Sequence, residues 1–212
     1  MGKSKTGKIA TACTALGSIF IIIAFTTPNW LVNDGQTENP RFDKLGLWEV
    51  CFKDFQDENR FYDTKFAGCW WMFQEELYII HNFLLKKPLY FTEFFFTFCL
   101  TLLLIGGLMT ALYTCCSRHH TRYQELLWAL GSILTLSGIC GVISGLIFGF
   151  GGDVRYWMPD WEHNSLGYSY ILACFGSLLI LPAGVLFLIE GRRHKKQAAR
   201  MHGEDPKTHS NI

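Results

Sequence analysis

The sequence predicts an all-α membrane protein with a small β cap. The expected architecture is a left-handed bundle of four transmembrane helices topped by an extracellular antiparallel sheet with one disulfide. Three observations lead there. Four stretches are apolar for long enough to cross a hydrocarbon core of about 30 Å, which takes roughly 20 residues. Half of the 212 residues are hydrophobic and 16% are aromatic, too apolar for a soluble domain of this size. Of the eight cysteines, only Cys51 and Cys69 fall in segments expected outside, so they pair with each other.

The elements follow in order. Residues 1–8 form a basic N-terminal arm and 9–27 the first span. The arm's lysines imitate a signal peptide, but the apolar run is long and Thr26-Thr27-Pro28-Asn29-Trp30 is a poor cleavage site, which favours an uncleaved helix. Residues 28–89 form a large first loop. Asp34-Gly35 signals a turn, β-forming runs lie at 30–32 and 45–52, and a further apolar patch runs from Phe66 through Trp70-Trp71 to Phe73. That pattern predicts three or four short strands pinned by the bridge. From Phe73 to Leu85, the positions Phe73, Leu77, Ile80 and Leu84 recur at helical spacing and predict a short helix. Residues 90–114 form the second span, 115–125 a short connection, 126–150 the third span, 151–167 a second loop, 168–189 the fourth span and 190–212 the tail.

Charge sets the expected orientation. Lys and Arg gather in the arm, the 115–125 connection and the tail, whereas the first loop carries seven Lys/Arg against ten Asp/Glu. The positive-inside rule then places both termini in the cytoplasm and both large loops outside. A net charge of +1 without a basic stripe gives no footing for nucleic acid.

Ser137, Gly141, Gly145 and Gly149 recur every four residues in the third span and offer a face that another helix can approach closely, within the bundle or in a dimer. Glu93 is the one charge in the spans and is expected at the interface rather than in an ion path. Trp30 and Trp48 read as packing or headgroup-level anchors before they read as partner contacts. Cys115 and Cys116 are candidates for S-palmitoylation, the alternative being plain thiols in a reducing compartment. The acids Asp54, Asp57, Glu58 and Asp63 are candidates for lining an intercellular gap, against the reading of a solvated surface. Ser210-Asn211-Ile212 suits a PDZ groove, with Ile212 in the apolar pocket; otherwise it is a polar disordered end. No phosphate loop, nucleophile elbow or His-Glu-x-x-His is present, and neither an enzyme nor a metal or cofactor site is expected.

The combination of four spans, a large first loop, Trp30, Gly46-Leu47-Trp48, Cys51 and Cys69 resembles the claudin family in the broad sense, which takes in peripheral and epithelial myelin-type membrane proteins and channel-auxiliary subunits. The resemblance covers the chain from the first span to the end of the fourth. It implies a bundle capped by a sheet with Cys51 and Cys69 bridged. The chain departs from vertebrate claudins in a longer Cys51–Cys69 spacing, in Tyr156-Trp157-Met158-Pro159-Asp160-Trp161 in its second loop, and in a tail that does not end in Tyr-Val. It is most similar to divergent claudin-like proteins of invertebrate septate junctions, the Pasiflora type. The implied role is a structural component of an epithelial or glial occluding junction. The implied partners are other claudin-like proteins in cis and trans, junction membrane proteins, a PDZ scaffold and the lipid bilayer. The alternative is an auxiliary subunit tuning gating or trafficking of a channel or receptor, which the short tail and the lack of a glycosylation sequon in the first loop disfavour. A myelin-type adhesion protein shares the same features.

Overall fold

The structure is a computed structural model that describes residues 4–36, 40–56, 65–80, 84, 86–115, 122–151, 158 and 161–201. Among the described residues, four helices are long and apolar enough to cross a membrane: α1 (Lys5–Thr26), α2 (Lys87–Cys115), α3 (Tyr123–Gly151) and α4 (Tyr168–Met201). The strands are β1 (Leu31–Asn33), β2 (Phe42–Leu45), β3 (Glu49–Gln56), β4 (Lys65–Trp71) and β5 (Asn164–Leu166).

Ser4 starts α1 by accepting the Gly7 backbone N–H at 3.0 Å, filling one of the amides that a helix start leaves open. Within α1 the hydroxyls of Thr11, Thr14 and Ser18 donate to carbonyls four residues back, so none is stranded in hydrocarbon. Large side chains such as Ile9, Leu108 and Phe175 face outward, as they do where the solvent is lipid. The interior holds small residues and hydroxyls together with Ile21, Phe96, Leu134 and Phe187.

Close approach between helices is bought with missing side chains. A Cβ on Gly138 would lie 2.7 Å from the Leu181 backbone, and one on Gly131 2.7 Å from Leu188. Ser137 donates across to the Cys99 carbonyl at 2.8 Å and Ser144 to the Thr92 carbonyl at 3.1 Å, tying α3 to α2. α4 continues as helix through Arg200 and Met201, and there Arg193 donates to the Thr6 hydroxyl at 3.1 Å. The start of α1 and the end of α4 therefore lie together, at the end of the bundle away from the strands.

The sheet is antiparallel throughout, in the order β4-β3-β2-β1-β5. Its fifth strand comes from the second loop, which sequence reasoning did not foresee: Leu31 pairs with Leu166 and Asn33 with Asn164. In the segment expected as a short helix, 73–85, a 3₁₀ helix spans Glu75–Ile80, and Leu84 is α-helical. Leu77 and Ile80 are three apart, which suits 3₁₀ geometry, and both are buried, as is Leu84. Residues 81–83 and 85 of that segment lie outside the described residues.

Candidate functional site

The site is the seam where the sheet sits on the bundle, together with the face the sheet turns outward. Its centre is Trp30. The side chain is fully buried, and its ring lies edge-on to Phe96 of α2 at 5.0 Å, Phe148 of α3 at 5.1 Å and Tyr170 of α4 at 6.1 Å. Its indole N–H donates to the Ala24 carbonyl of α1 at 2.7 Å. That carbonyl is one of the last four of α1, which have no partner inside the helix. One side chain thus contacts all four helices. Its backbone does the rest of the joining: Trp30 N donates to Leu45 O at 2.9 Å, and Gly167 N donates to Trp30 O at 2.9 Å.

Gly46 lets the β2–β3 turn lie on the chain leaving α1. A Cβ there would come within 2.5 Å of Pro28 Cα, and the Gly46 N–H donates to Glu49 O at 2.8 Å. Leu47 is buried beneath the turn. Trp48 is half-buried, with Phe25 of α1 at 5.2 Å, Trp71 stacked at 6.3 Å and Phe73 at 6.2 Å. The motif Trp30, Gly46, Leu47 and Trp48 is therefore the material of the seam. Packing, rather than an exposed contact surface, is where Trp30 stands.

Cys51 and Cys69 face each other across β3 and β4 and are joined by a disulfide, with Cα atoms 4.0 Å apart. Glu49 brings a carboxylate oxygen within 4.8 Å of both sulfurs, but sulfurs spent in a bridge are not thiolate ligands for a metal. Next to the bridge Gly68 has φ +88°, a left-handed conformation that glycine adopts without penalty, and the β3–β4 register shifts between Phe52 and Phe55.

Of the acids proposed to line a gap, Asp54 is exposed on β3, with Lys65 Nζ at 3.8 Å. Asp57, Glu58 and Asp63 lie outside the described residues, as do Cys116 and the tail residues Ser210, Asn211 and Ile212. Cys115 is a free, exposed thiol at the end of α2. The stripe on α3 faces inward: Ser137 and Gly141 meet Cys99, Gly141 also meets Ser177, Gly145 meets Cys174 and Gly149 meets the Tyr170 hydroxyl. Between β4 and the end of the 3₁₀ helix, the exposed aromatics are Trp71, Phe73 and Tyr78, the last 80% exposed.

Two features escaped the sequence. Asp34 and His163 connect the first loop to the second, with Oδ2 and Nδ1 3.2 Å apart, while Asp34 N donates to His163 O at 2.8 Å. The Gln36 backbone N–H, donated to Oδ1, is the main reason the Asp34 carboxyl titrates below its ordinary value of 3.8, with the His163 ring adding to the effect. Glu93, expected at the interface, is only 6% exposed, and its Oε1 has no hydrogen-bond partner. The buried Trp48 Nε1 is also without one. Spacing along one chain could reveal neither the Asp34–His163 juxtaposition nor the burial of these two atoms.

Residues 15–189 match the protein family described as PMP-22/EMP/MP20/Claudin tight junction. No curated protein matches the chain. The family match spans all four helices and the sheet, so the chain belongs to the PMP-22/EMP/MP20/claudin family and is a multi-pass membrane protein.

Proposed function

We propose that the protein is a structural component of an occluding junction, of septate or tight type, between epithelial or glial cells. It sits in the lateral plasma membrane with both termini in the cytoplasm, the arrangement the charge asymmetry favours. It associates side by side with other claudin-like proteins and junction membrane proteins, and across the gap with those of the next cell. The observation that carries this reading is the stapled hairpin on a rigid seat. The sheet is bonded to the bundle through Trp30, and its β3 and β4 strands are crosslinked at Cys51–Cys69, so the strands beside the bridge are tied to the helices. A surface presented in this way suits a barrier built from many identical contacts.

In this reading the acids Asp54, Asp57, Glu58 and Asp63 face the gap and bias it against anions. Cys115 and Cys116 carry the acyl groups that hold the cytoplasmic end of α2 at the membrane. The test is immunolocalisation in a polarised epithelium combined with dye and ion permeability after depletion. A lateral band at cell contacts with increased leakage is the expected result, and re-expression of the chain with all four acids neutralised should alter dilution potentials. A synaptic or diffuse distribution with an intact barrier would replace this reading with the auxiliary-subunit one.

A further inference from the structure

One face of α4 runs across the membrane and past it. Ile171, Phe175, Leu178 and Val185 are exposed on the side turned away from the bundle, where the solvent is lipid. From Tyr168 to Ile189 the helix covers roughly 33 Å at about 1.5 Å per residue, enough for the hydrocarbon core. It does not stop there but continues to Met201. Arg192 stands two turns past Val185 on the same face, Lys196 one turn further and Arg200 one more, and all three are exposed. The lipid-facing side of α4 therefore becomes a cationic stripe where the helix leaves the hydrocarbon, with charges roughly 6 Å apart along the axis. Arg193 lies beside the stripe and donates to the Thr6 hydroxyl at 3.1 Å. The Arg192 guanidinium lies over the Trp128 ring at 5.8 Å. Two of these four cations are thus held in place. Among the described residues none of the four has a carboxylate partner, and the acids at this end are Glu125 and the buried Glu190.

We propose that this stripe binds the headgroup of a phospholipid that carries several phosphates, a phosphoinositide, whose acyl chains lie along the apolar part of the same face. Continuity of the face selects a lipid over a soluble partner. The cations follow directly on side chains that face acyl chains, so one molecule satisfies both halves. Several phosphates suit several cations spaced along an axis, and the arginine fork takes phosphate oxygens two at a time. A headgroup with a single phosphate fills only part of the stripe. Lys and Arg held at an anionic membrane surface each raise affinity about fivefold. Orientation in the membrane requires only that Lys and Arg lie somewhere on this flank. The ligand is indicated by their order, on a continued helix and on the one face that lipid covers. The proposal rests on membrane crossing and does not depend on the junction reading.

The test uses the full chain in detergent micelles, titrated with phosphatidylinositol bisphosphate, phosphatidylserine or soluble inositol trisphosphate and read by native mass spectrometry. The bisphosphate lipid should bind about tenfold more tightly than phosphatidylserine, and the soluble headgroup, which lacks the chains, more weakly than the lipid. Arg192→Gln, Lys196→Gln and Arg200→Gln combined should weaken binding of the bisphosphate lipid on the order of 100-fold. Lys53→Gln, Lys65→Gln and Lys87→Gln remove the same charge from exposed sites on the sheet side and should leave it unchanged. Glutamine forms helix as readily as lysine and arginine, so the stripe variant should keep the wild-type unfolding midpoint. If it does not, Lys196→Gln alone decides, with an expected loss of about fivefold. Bisphosphate lipid bound no better than phosphatidylserine would overturn the proposal. Full affinity in the stripe variant would also overturn it and leave the stripe to a soluble acidic partner. So would an equal loss in the sheet-side variant, or inositol trisphosphate bound as tightly as the lipid.

Discussion

Trp30 and Ala24 are joined by an indole N–H to carbonyl hydrogen bond of 2.7 Å that closes the end of the first helix. Trp30→Ala should cost about 3–5 kcal/mol, through the cavity left between four helices and an unpaired carbonyl. Trp30→Phe keeps most of the packing and should cost about 1–3 kcal/mol. Thermal unfolding of the detergent-solubilised protein measures both, and an unchanged midpoint for Trp30→Phe would show that the bond adds nothing.

Gly46 lies against Pro28 with no room for a methyl group, since the added Cβ would sit 2.5 Å from backbone. Gly46→Ala should destabilise by about 1–3 kcal/mol by lifting the β2–β3 turn off its seat. Gly107→Ala is the control, because a methyl there meets open space. Its unfolding midpoint should hold or rise, and equal losses in the two variants would argue against the steric account.

Cys51→Ser and Cys69→Ser should each lower stability by about 3 kcal/mol in the chain-entropy account and leave the protein retained in the secretory pathway. The double variant should be no worse than either single one. Surface biotinylation and non-reducing peptide mapping read the outcome, and free thiols in wild-type surface protein would contradict it.

The Asp34 carboxyl is held below 3.8 in the folded protein, so its ionised form contributes stability throughout the range above that value. The contribution is lost as pH falls through the folded midpoint. Carboxyl NMR should give a midpoint under 3.8, and His163→Ala should move it only part of the way back, because the Gln36 amide is the larger cause. Below the midpoint, amides of 31–33 and 164–166 should exchange faster relative to their intrinsic rates, and Asp34→Asn should abolish that pH step.

The chain ends in Ser210-Asn211-Ile212. If these residues add a strand to a PDZ domain, a ten-residue tail peptide should capture junction scaffolds and the same peptide without Ile212 should not. Membrane insertion should be unchanged by the deletion. Equal recovery with both peptides would remove this route of anchoring.

Much of the molecule was legible because membrane crossing imposes strong, long-range composition. Twenty apolar residues in a row have few other uses, and the two cysteines of the first loop do find each other. Gly46-Leu47-Trp48 was recognisable as a motif, but its meaning as a seam needed Pro28 and Phe25 beside it. Asn164-Ser165-Leu166 carries no strand signature, being short and without β-branched residues; it becomes a strand because β1 offers it an unpaired edge. Glu93 and Trp48 border one groove, and their sequence separation follows no period.

That borrowed edge has a consequence for synthesis. β1 emerges early, yet one of its two neighbours, β5, belongs to the stretch just ahead of the final helix. Until the translocon has delivered residues 164–166, one side of β1 is open to any strand that passes. The four early strands can assemble among themselves, but the cap is sealed only once the stretch that follows α3 has been made. A nascent protein interrupted after α3 therefore exposes a sticky edge, which quality control can read as unfinished.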